Sequence, residues 1–358
     1  MKKNIYIFSN TILSRKDNSI QLKTIPDTEA IHSVDIYEDE NDGVILPPPP
    51  CNDNGQTKHL PAESIESIYT FGEVRFNTQF FKCLSNYSIP VNILNYYGQY
   101  VGSFLPANKD SSGKIHILQY QAYCNSYKRL YIAKSIIETA IKNMLANLKS
   151  YLYSGIDVEY YINLISSTLE QVRFSDSIPN LMGFEGNARN AYYQSWTEIL
   201  KQESDFEKRI KQPPVGMINS LISFGNSMLY GVCMTEIFRT KLTPYVGFIH
   251  ETGDGKHPLV YDISEVFKPV IVDKVIFRVI NLNMINKDDF QHTNKGFYLK
   301  EKARKTFVEE FEKRLSTVIH HDRINRRLSY RSLIRMECYN LINFLSEKIK
   351  SYEPYRAN

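Results

Sequence analysis

Paired cysteines are missing from this chain. Its five cysteines (Cys51, Cys83, Cys124, Cys233 and Cys338) are widely separated, odd in number and form no Cys-x-x-Cys pair. Such spacing supplies neither a zinc knuckle nor a disulfide framework, so separate reduced thiols are expected, some of them in the core. Long apolar runs are missing as well. No stretch approaches the roughly 20 unbroken apolar residues that a membrane span requires. The N-terminus, MKKNIYIFSN, offers two lysines and an apolar run of four residues, too short for the centre of a signal peptide. A cytoplasmic protein is expected, with its first residues already in a strand. A strong charge excess is also lacking: the net charge is only +4. That permits a polyanionic partner without demanding one.

What is present is enough for two domains. The 358 residues are 42% hydrophobic, which supports real cores at about 150 residues per domain. Aromatic residues make up 13%, mostly Tyr and Phe. Tyrosines can stack on bases or meet phosphates, although most serve as packing residues with a satisfied hydroxyl.

The hydrophobic period divides the chain. Residues 1–107 read as a β-rich N-terminal domain. Asn4–Phe8 and Ile20–Ile25 are short extended runs on either side of the turn cluster Arg15–Ser19, and Ile65–Phe71 resumes the strands. Asn77–Asn86 has the make-up of a short helix. Ile89–Asn95 and Val101–Leu105 pair across Tyr96-Tyr97-Gly98 as a hairpin. Within this domain, residues 27–58 form an insert with an acidic run, four consecutive prolines and Asn-Asp-Asn-Gly. Proline removes ladder donors and favours polyproline II, so the insert reads as a surface excursion.

Beyond the linker of Pro106–Gly113 the period becomes 3.6. Leu130, Ala133, Ile137, Ile141, Met144 and Leu148 fall on one face of a long helix. Asp157 is placed to cap a second helix, Pro179 to open a third and Pro213-Pro214 a fourth. A helix over 261–272 follows, then helices from about Gly296 to the end. Residues 108–358 therefore read as a larger all-α domain, and the expected class is α+β. Arg323, Arg327, Arg331 and Arg335 recur every four residues, with Arg326 beside them, and would line one helical stripe. Both an ion-paired face and a phosphate-tracking surface fit that stripe.

The stretch Gly247–Pro269 is the most suggestive. His250 follows an apolar run, a glycine-rich loop comes next, and Asp262 and Glu265 are three apart, so a helix leans both carboxylates to one side. An imidazole with one or two carboxylates suits a hard divalent cation such as Mg²⁺ or Mn²⁺. A core histidine beside an ordinary amphipathic helix fits the same residues.

Several stretches, taken in order, resemble the CRISPR-associated spacer-acquisition integrase and endonuclease family. In the second domain these are Gly183-Phe184-Glu185-Gly186 with Ala188, Arg189 and Tyr192; Pro213-Pro214 with Asn219 and Ser223-Phe224-Gly225; Gly247-Phe248-Ile249-His250; and Tyr261-Asp262-Ile263-Ser264-Glu265-Val266-Phe267-Lys268-Pro269. In the first domain they are Ile68–Val74 and Tyr97–Pro106. The 27–58 insert departs from the pattern. The resemblance implies a DNA strand transferase and endonuclease of CRISPR adaptation, joining the 3′-hydroxyl ends of a spacer to the repeat by phosphodiester transesterification. It implies Glu185, His250 and Glu265 as ligands of Mg²⁺ or Mn²⁺. Asp262 would orient a ligand or lie near DNA, and Lys268 would meet a phosphate. Arg189, Tyr192 and Asn219 match positions around the site, and with Asp262, Lys268, Arg323, Arg327 and Arg331 they make up the expected DNA-binding set. The implied partners are spacer and repeat DNA, a second copy of the chain joined through the β domain, and a small second CRISPR-associated protein. Two other readings stay open: a stand-alone structure-selective DNase or junction resolvase using the same ligands, and a non-catalytic DNA-binding scaffold using the arginine stripe.

Overall fold

The computed structural model describes residues 2–25, 56–107, 112–202, 206, 209–210, 214–254, 256–293, 296–321 and 324–357. The 27–58 insert, apart from its last residues, and Arg323 lie outside the described residues. The chain divides into two compact units, Met1–Ala107 and Asn108–Asn358.

The first unit is built on two four-stranded sheets. One has the order β1 (Lys3–Ile7), β5 (Ile65–Thr70), β7 (Val91–Leu94), β8 (Tyr100–Phe104). The other runs β4 (Thr57–Pro61), β3 (Ser19–Thr24), β2 (Thr11–Lys16), β6 (Val74–Phe76). Because strand side chains alternate between faces, Leu13 of β2 and Ile20 of β3 both turn inward and are fully buried. They join Ile7, Ile68 and Val91 in one core, closed by α1 (Thr78–Tyr87) through Phe80, Cys83 and Leu84. The Asn77 side chain caps α1 by accepting from Phe80 N–H. The hairpin expected around Gly98 is β7–β8, which pair antiparallel. β3 and β4 also pair antiparallel, so the chain leaves for the insert and returns from it on neighbouring strands.

The second unit is helical. In chain order it runs α2 (Gly113–Cys124), α3 (Ser126–Tyr153), α4 (Glu159–Arg173), α5 (Ile178–Gln194), α6 (Trp196–Ile199), α7 (Gly216–Phe238) and α8 (Pro258–Phe267). The expected apolar stripe of α3 is buried from Ile132 to Leu148, and each large aliphatic side chain contributes roughly 1.5–3 kcal/mol by leaving water. α3 packs against α2, α4, α5 and α8, so it is the shared wall of the bundle.

α8 continues through a π turn, Pro269–Asp273, into α9 (Lys274–Asn281). Proline has no N–H for the ladder and its ring crowds the preceding turn, and the helix answers by widening there. The N–H of Asp273 accordingly donates to Lys268 O, five residues back, at 3.1 Å. Gly225 of α7 faces this turn, and a Cβ there would stand 2.5 Å from a methyl of Val272.

The all-α expectation needs one correction. The helical unit also contains two antiparallel hairpins, β9 (Phe290–Thr293) with β10 (Gly296–Leu299), and β11 (Val318–His321) with β12 (Arg326–Ser329). They flank α10 (Glu301–Ser316), and α11 (Tyr330–Leu345) follows. The arginine stripe fails for the same reason. Arg326 and Arg327 are in the strand β12, ahead of the helix that carries Arg331 and Arg335, so no single helical face joins them. Arg331 and Arg335 are in α11, but they pair with Glu312 of α10 and Glu236 of α7, partners far away in the sequence.

Candidate active site

α8 is buried on nearly every side, carboxylates included, and must therefore satisfy each charge with a specific partner. Asp262 is fully buried. Its carboxylate accepts the backbone N–H groups of Phe248, Ile249 and His250. Oδ1 also meets His250 Nδ1 at 2.8 Å. The Gly247–His250 segment thus wraps around one carboxylate, which requires glycine at its start: a Cβ on Gly247 would lie 2.7 Å from Asp262 Oδ2 and 2.8 Å from Pro258 Cβ.

An ionised carboxylate can only accept, so Nδ1 of His250 carries the hydrogen, and in the neutral ring Nε2 keeps its lone pair. This is the arrangement in which a histidine ligates a metal with its orientation and basicity set by a carboxylate behind it. Burial pushes the His250 pKa down, but the hydrogen bond and charge of Asp262 outweigh it and raise the pKa above the ordinary value. Tyr261 stands against the ring at 5.5 Å between centroids.

One turn along α8, Glu265 accepts from two cations. Oε1 takes the Lys268 ammonium, and Oε2 takes Arg189 Nη2 at 2.6 Å. The same guanidinium donates through Nε to Glu185 Oε1 at 2.6 Å. Glu185 and Arg189 are one turn apart on α5, so Arg189 spans from its own helix to α8. Burial acts to raise the Glu265 pKa, but Lys268 and Arg189 more than offset it and hold the carboxyl below its usual range. Lys268 is held charged in turn and lies 5.5 Å from the ring centre of Tyr230 on α7. Asp262, Glu185 and Glu265 carry three negative charges against the two positive charges of Arg189 and Lys268. With His250 neutral, one negative charge remains.

Of the expected metal ligands, Glu185 and Glu265 share the Arg189 bridge, while His250 belongs to the separate pair with Asp262 and feels Glu265 only through its charge. Among the described residues, no three His, Cys, Asp or Glu side chains are arranged as a ready-made metal cage. The guanidinium of Arg189 stands between the two glutamates. The donor chemistry nevertheless fits a hard divalent cation, because it pairs an imidazole nitrogen of fixed tautomer with carboxylate oxygens. One Arg189 nitrogen, Nη1, is buried with no hydrogen-bond partner. A cation entering here would share the carboxylates with Arg189.

Three members of the expected DNA-binding set are interior residues. Asp262 anchors the His250 segment as described. Tyr192 is fully buried, and its hydroxyl accepts from Asn147 of α3 at 2.8 Å. Asn219 is buried and holds the chain ahead of α7, accepting from Ile210 N–H and donating to Val215 O. None of the three presents its polar group to a strand crossing the surface. Arg189 and Lys268 remain at the site itself.

Sequence reasoning gave Gly247 no packing role, and it passed over Tyr230 and two asparagines, Asn143 and Asn147. Their signal was legible: both asparagines interrupt the apolar stripe of α3 on one face, among Ala140, Met144 and Leu148. A polar side chain held inside such a stripe needs partners, and both donate to backbone carbonyls of the α8–π segment.

With this geometry in hand, comparison with known proteins is specific. Residues 50–313 match the family described as CRISPR associated protein Cas1. A CRISPR-associated endonuclease Cas1 from Fusobacterium nucleatum is 38% identical over 357 residues, covering 99% of this chain and 97% of the relative. The solved structure of a Cas1 protein from Thermotoga maritima superposes with a TM-score of 0.82 at 30% identity, covering 99% of this chain and 100% of the other. A casposase bound to integration product shares the fold at a TM-score of 0.80 and 22% identity, covering 99% and 93%.

Proposed function

Because this chain belongs to the Cas1 family, we propose that it is a divalent-metal-dependent DNA integrase and endonuclease of CRISPR adaptation. The observation that carries this reading is the Asp262–His250 pair beside the Glu185–Arg189–Glu265 bridge. Together these present an oriented imidazole, two carboxylates and two buried cations at one place, which is what phosphodiester chemistry needs.

Glu185, His250 and Glu265 would hold Mg²⁺ or Mn²⁺. When bound, such an ion lowers the pKa of the attacking hydroxyl or water and offsets charge on the phosphoryl oxygens. Asp262 keeps Nε2 of His250 available throughout by holding the proton on Nδ1. Lys268, kept charged by Glu265, and Arg189, kept charged by Glu185 and Glu265, supply positive charge for the phosphate that the reaction loads further with negative charge. In the joining reaction the spacer 3′-hydroxyl gives up its proton as its oxygen forms a bond to the repeat phosphorus, the bond from phosphorus to the repeat 3′-oxygen breaks, and that oxygen leaves and takes up a proton. Hydrolysis is the same displacement with water as nucleophile.

In the family, the relatives' names attach to CRISPR endonucleases, and the casposase of the same fold was caught on an integration product. The resemblance adds a homodimer formed through the β domain and a small second CRISPR-associated protein as partners. Among the described residues, no helix is long and apolar enough to cross a membrane.

The test offers purified protein, Mn²⁺, a 3′-hydroxyl spacer end and a repeat duplex, with Glu185→Gln and His250→Ala as variants. The expected result is joined product from the parent protein and none from either folded variant. Cleavage without joining would favour the stand-alone nuclease. DNA binding without any ion binding would leave only a scaffold.

A further inference from the structure

The two glutamates of the candidate site sit on different helices, α5 and α8, and a third helix, α3, packs against both. One side chain of α3 ties the two together. Asn147, 3% exposed, has two amide hydrogens. One goes to the hydroxyl of Tyr192 on α5 at 2.8 Å, and the other to the carbonyl of Pro269 at the start of the π turn, also at 2.8 Å. Tyr192 is two turns beyond Glu185 on the same helix, and Pro269 is one turn beyond Glu265.

The bond to Pro269 is not incidental. In a regular α-helix the Pro269 carbonyl would pair with Asp273 N–H, but that N–H donates to Lys268 O instead. Further side chains brace the same stretch: Asn143 of α3 donates to Val266 O at 2.9 Å, and Arg314 of α10 donates to Val270 O at 2.8 Å. Of these, Asn147 alone also reaches the helix that carries Glu185. Buried Asp273, the last residue of the π turn, lies within electrostatic reach of the same Tyr192 hydroxyl.

We infer that Asn147 is a positioning residue that sets the spacing between Glu185 and Glu265 by clamping Tyr192 and Pro269, and thereby tunes the affinity of the site for its divalent cation. This rests on the metal-dependent reading above. Asn147 touches neither glutamate, so its effect must pass through the Tyr192 side chain and the Pro269 backbone that it holds. Groups that orient metal ligands from behind typically change ion affinity 10–100-fold when lost.

The test is Mn²⁺ binding by calorimetry to the full chain and to two variants, alongside thermal melts and strand joining as a function of Mn²⁺ concentration. Asn147→Leu removes both hydrogen bonds at nearly constant volume. Tyr192→Phe cuts only the α5 arm and keeps the ring packing, so it serves if Asn147→Leu does not fold. Each folded variant is expected to bind Mn²⁺ about 10-fold or more weakly. Joining should return to within a few-fold of the parent at saturating ion. A merely structural role would lower the melting temperature and leave the ion affinity of folded protein unchanged, and that result overturns the inference while the metal-dependent reading stands. If the parent chain itself binds no Mn²⁺, that reading and the inference fall together.

Discussion

Asp262 Oδ1 and His250 Nδ1 lie 2.8 Å apart, and the same carboxylate collects three backbone N–H groups from the segment that carries the histidine. Asp262 is therefore the anchor of the loop and the group that sets the imidazole tautomer. Asp262→Asn should disturb both, because an amide cannot accept four hydrogen bonds without a negative charge behind them. The expected outcome is a loss of about 2–4 kcal/mol in stability and at least a 10-fold weaker hold on Mn²⁺. Non-specific DNA affinity should stay within about two-fold, since the residue is buried. Thermal melts, Mn²⁺ titration and a filter-binding assay would separate the three.

Gly247→Ala tests the same loop by steric means. The added Cβ would stand 2.7 Å from Asp262 Oδ2 and 2.8 Å from Pro258 Cβ, and backbone and carboxylate cannot both give way. Overpacking of this kind costs about 1–3 kcal/mol. Denaturant unfolding should show the midpoint falling with an unchanged slope, whereas a parent-like midpoint would mean the loop is looser than the structure has it.

The pH response of ion binding follows from His250. Its pKa is raised, because the hydrogen bond and charge of Asp262 outweigh burial. A raised histidine stabilises the ion-free fold below its ordinary pKa near 6.5, and that contribution fades as pH rises through the folded-state value. Ion binding has the opposite sign, since the ligand must be neutral. Mn²⁺ affinity should therefore climb with pH across this range, and His250→Ala should flatten the climb along with lowering the affinity.

Asp273 gives a separate pH signature. Burial pushes its carboxyl up to about 7 from 3.8, against the opposing pull of Arg189 and the Tyr192 hydroxyl. The folded state thus keeps a proton that the unfolded chain releases, and stability attributable to this residue declines between about pH 4 and pH 7. Asp273→Asn resembles the protonated acid and removes the decline. Melting curves should show the variant gaining on the parent as pH rises from 5 to 8. A parallel pair of curves would mean that Asp273 is ionised in the fold.

How much of this was legible beforehand depended on range. Local chemistry was readable: the short helix after Asn77, the Gly98 hairpin, the proline at the head of α5 and the apolar stripe of α3 all reflect residues within a few positions of one another. The β-rich unit followed by a helical one came from the change of hydrophobic period. Two short hairpins escaped because four-residue strands carry too few alternations to outweigh their helical flanks. The π turn escaped because proline signals a break without saying how the helix repairs it.

For the site, the sequence by itself determined which side chains are available: an imidazole, several acids and two cations at ordered positions. Only the tertiary structure decided who pairs with whom. Arg189 could have faced solvent or DNA, and the fold turns it between Glu185 and Glu265. Asp262 could have joined the cluster of Glu265, Arg189 and Lys268, yet it is buried under the Gly247–His250 backbone. Spacing along one helix fixes only a side chain's direction on that helix. The partner that Glu265 meets, Arg189, comes from another helix 76 residues away, and α3 packs against both helices.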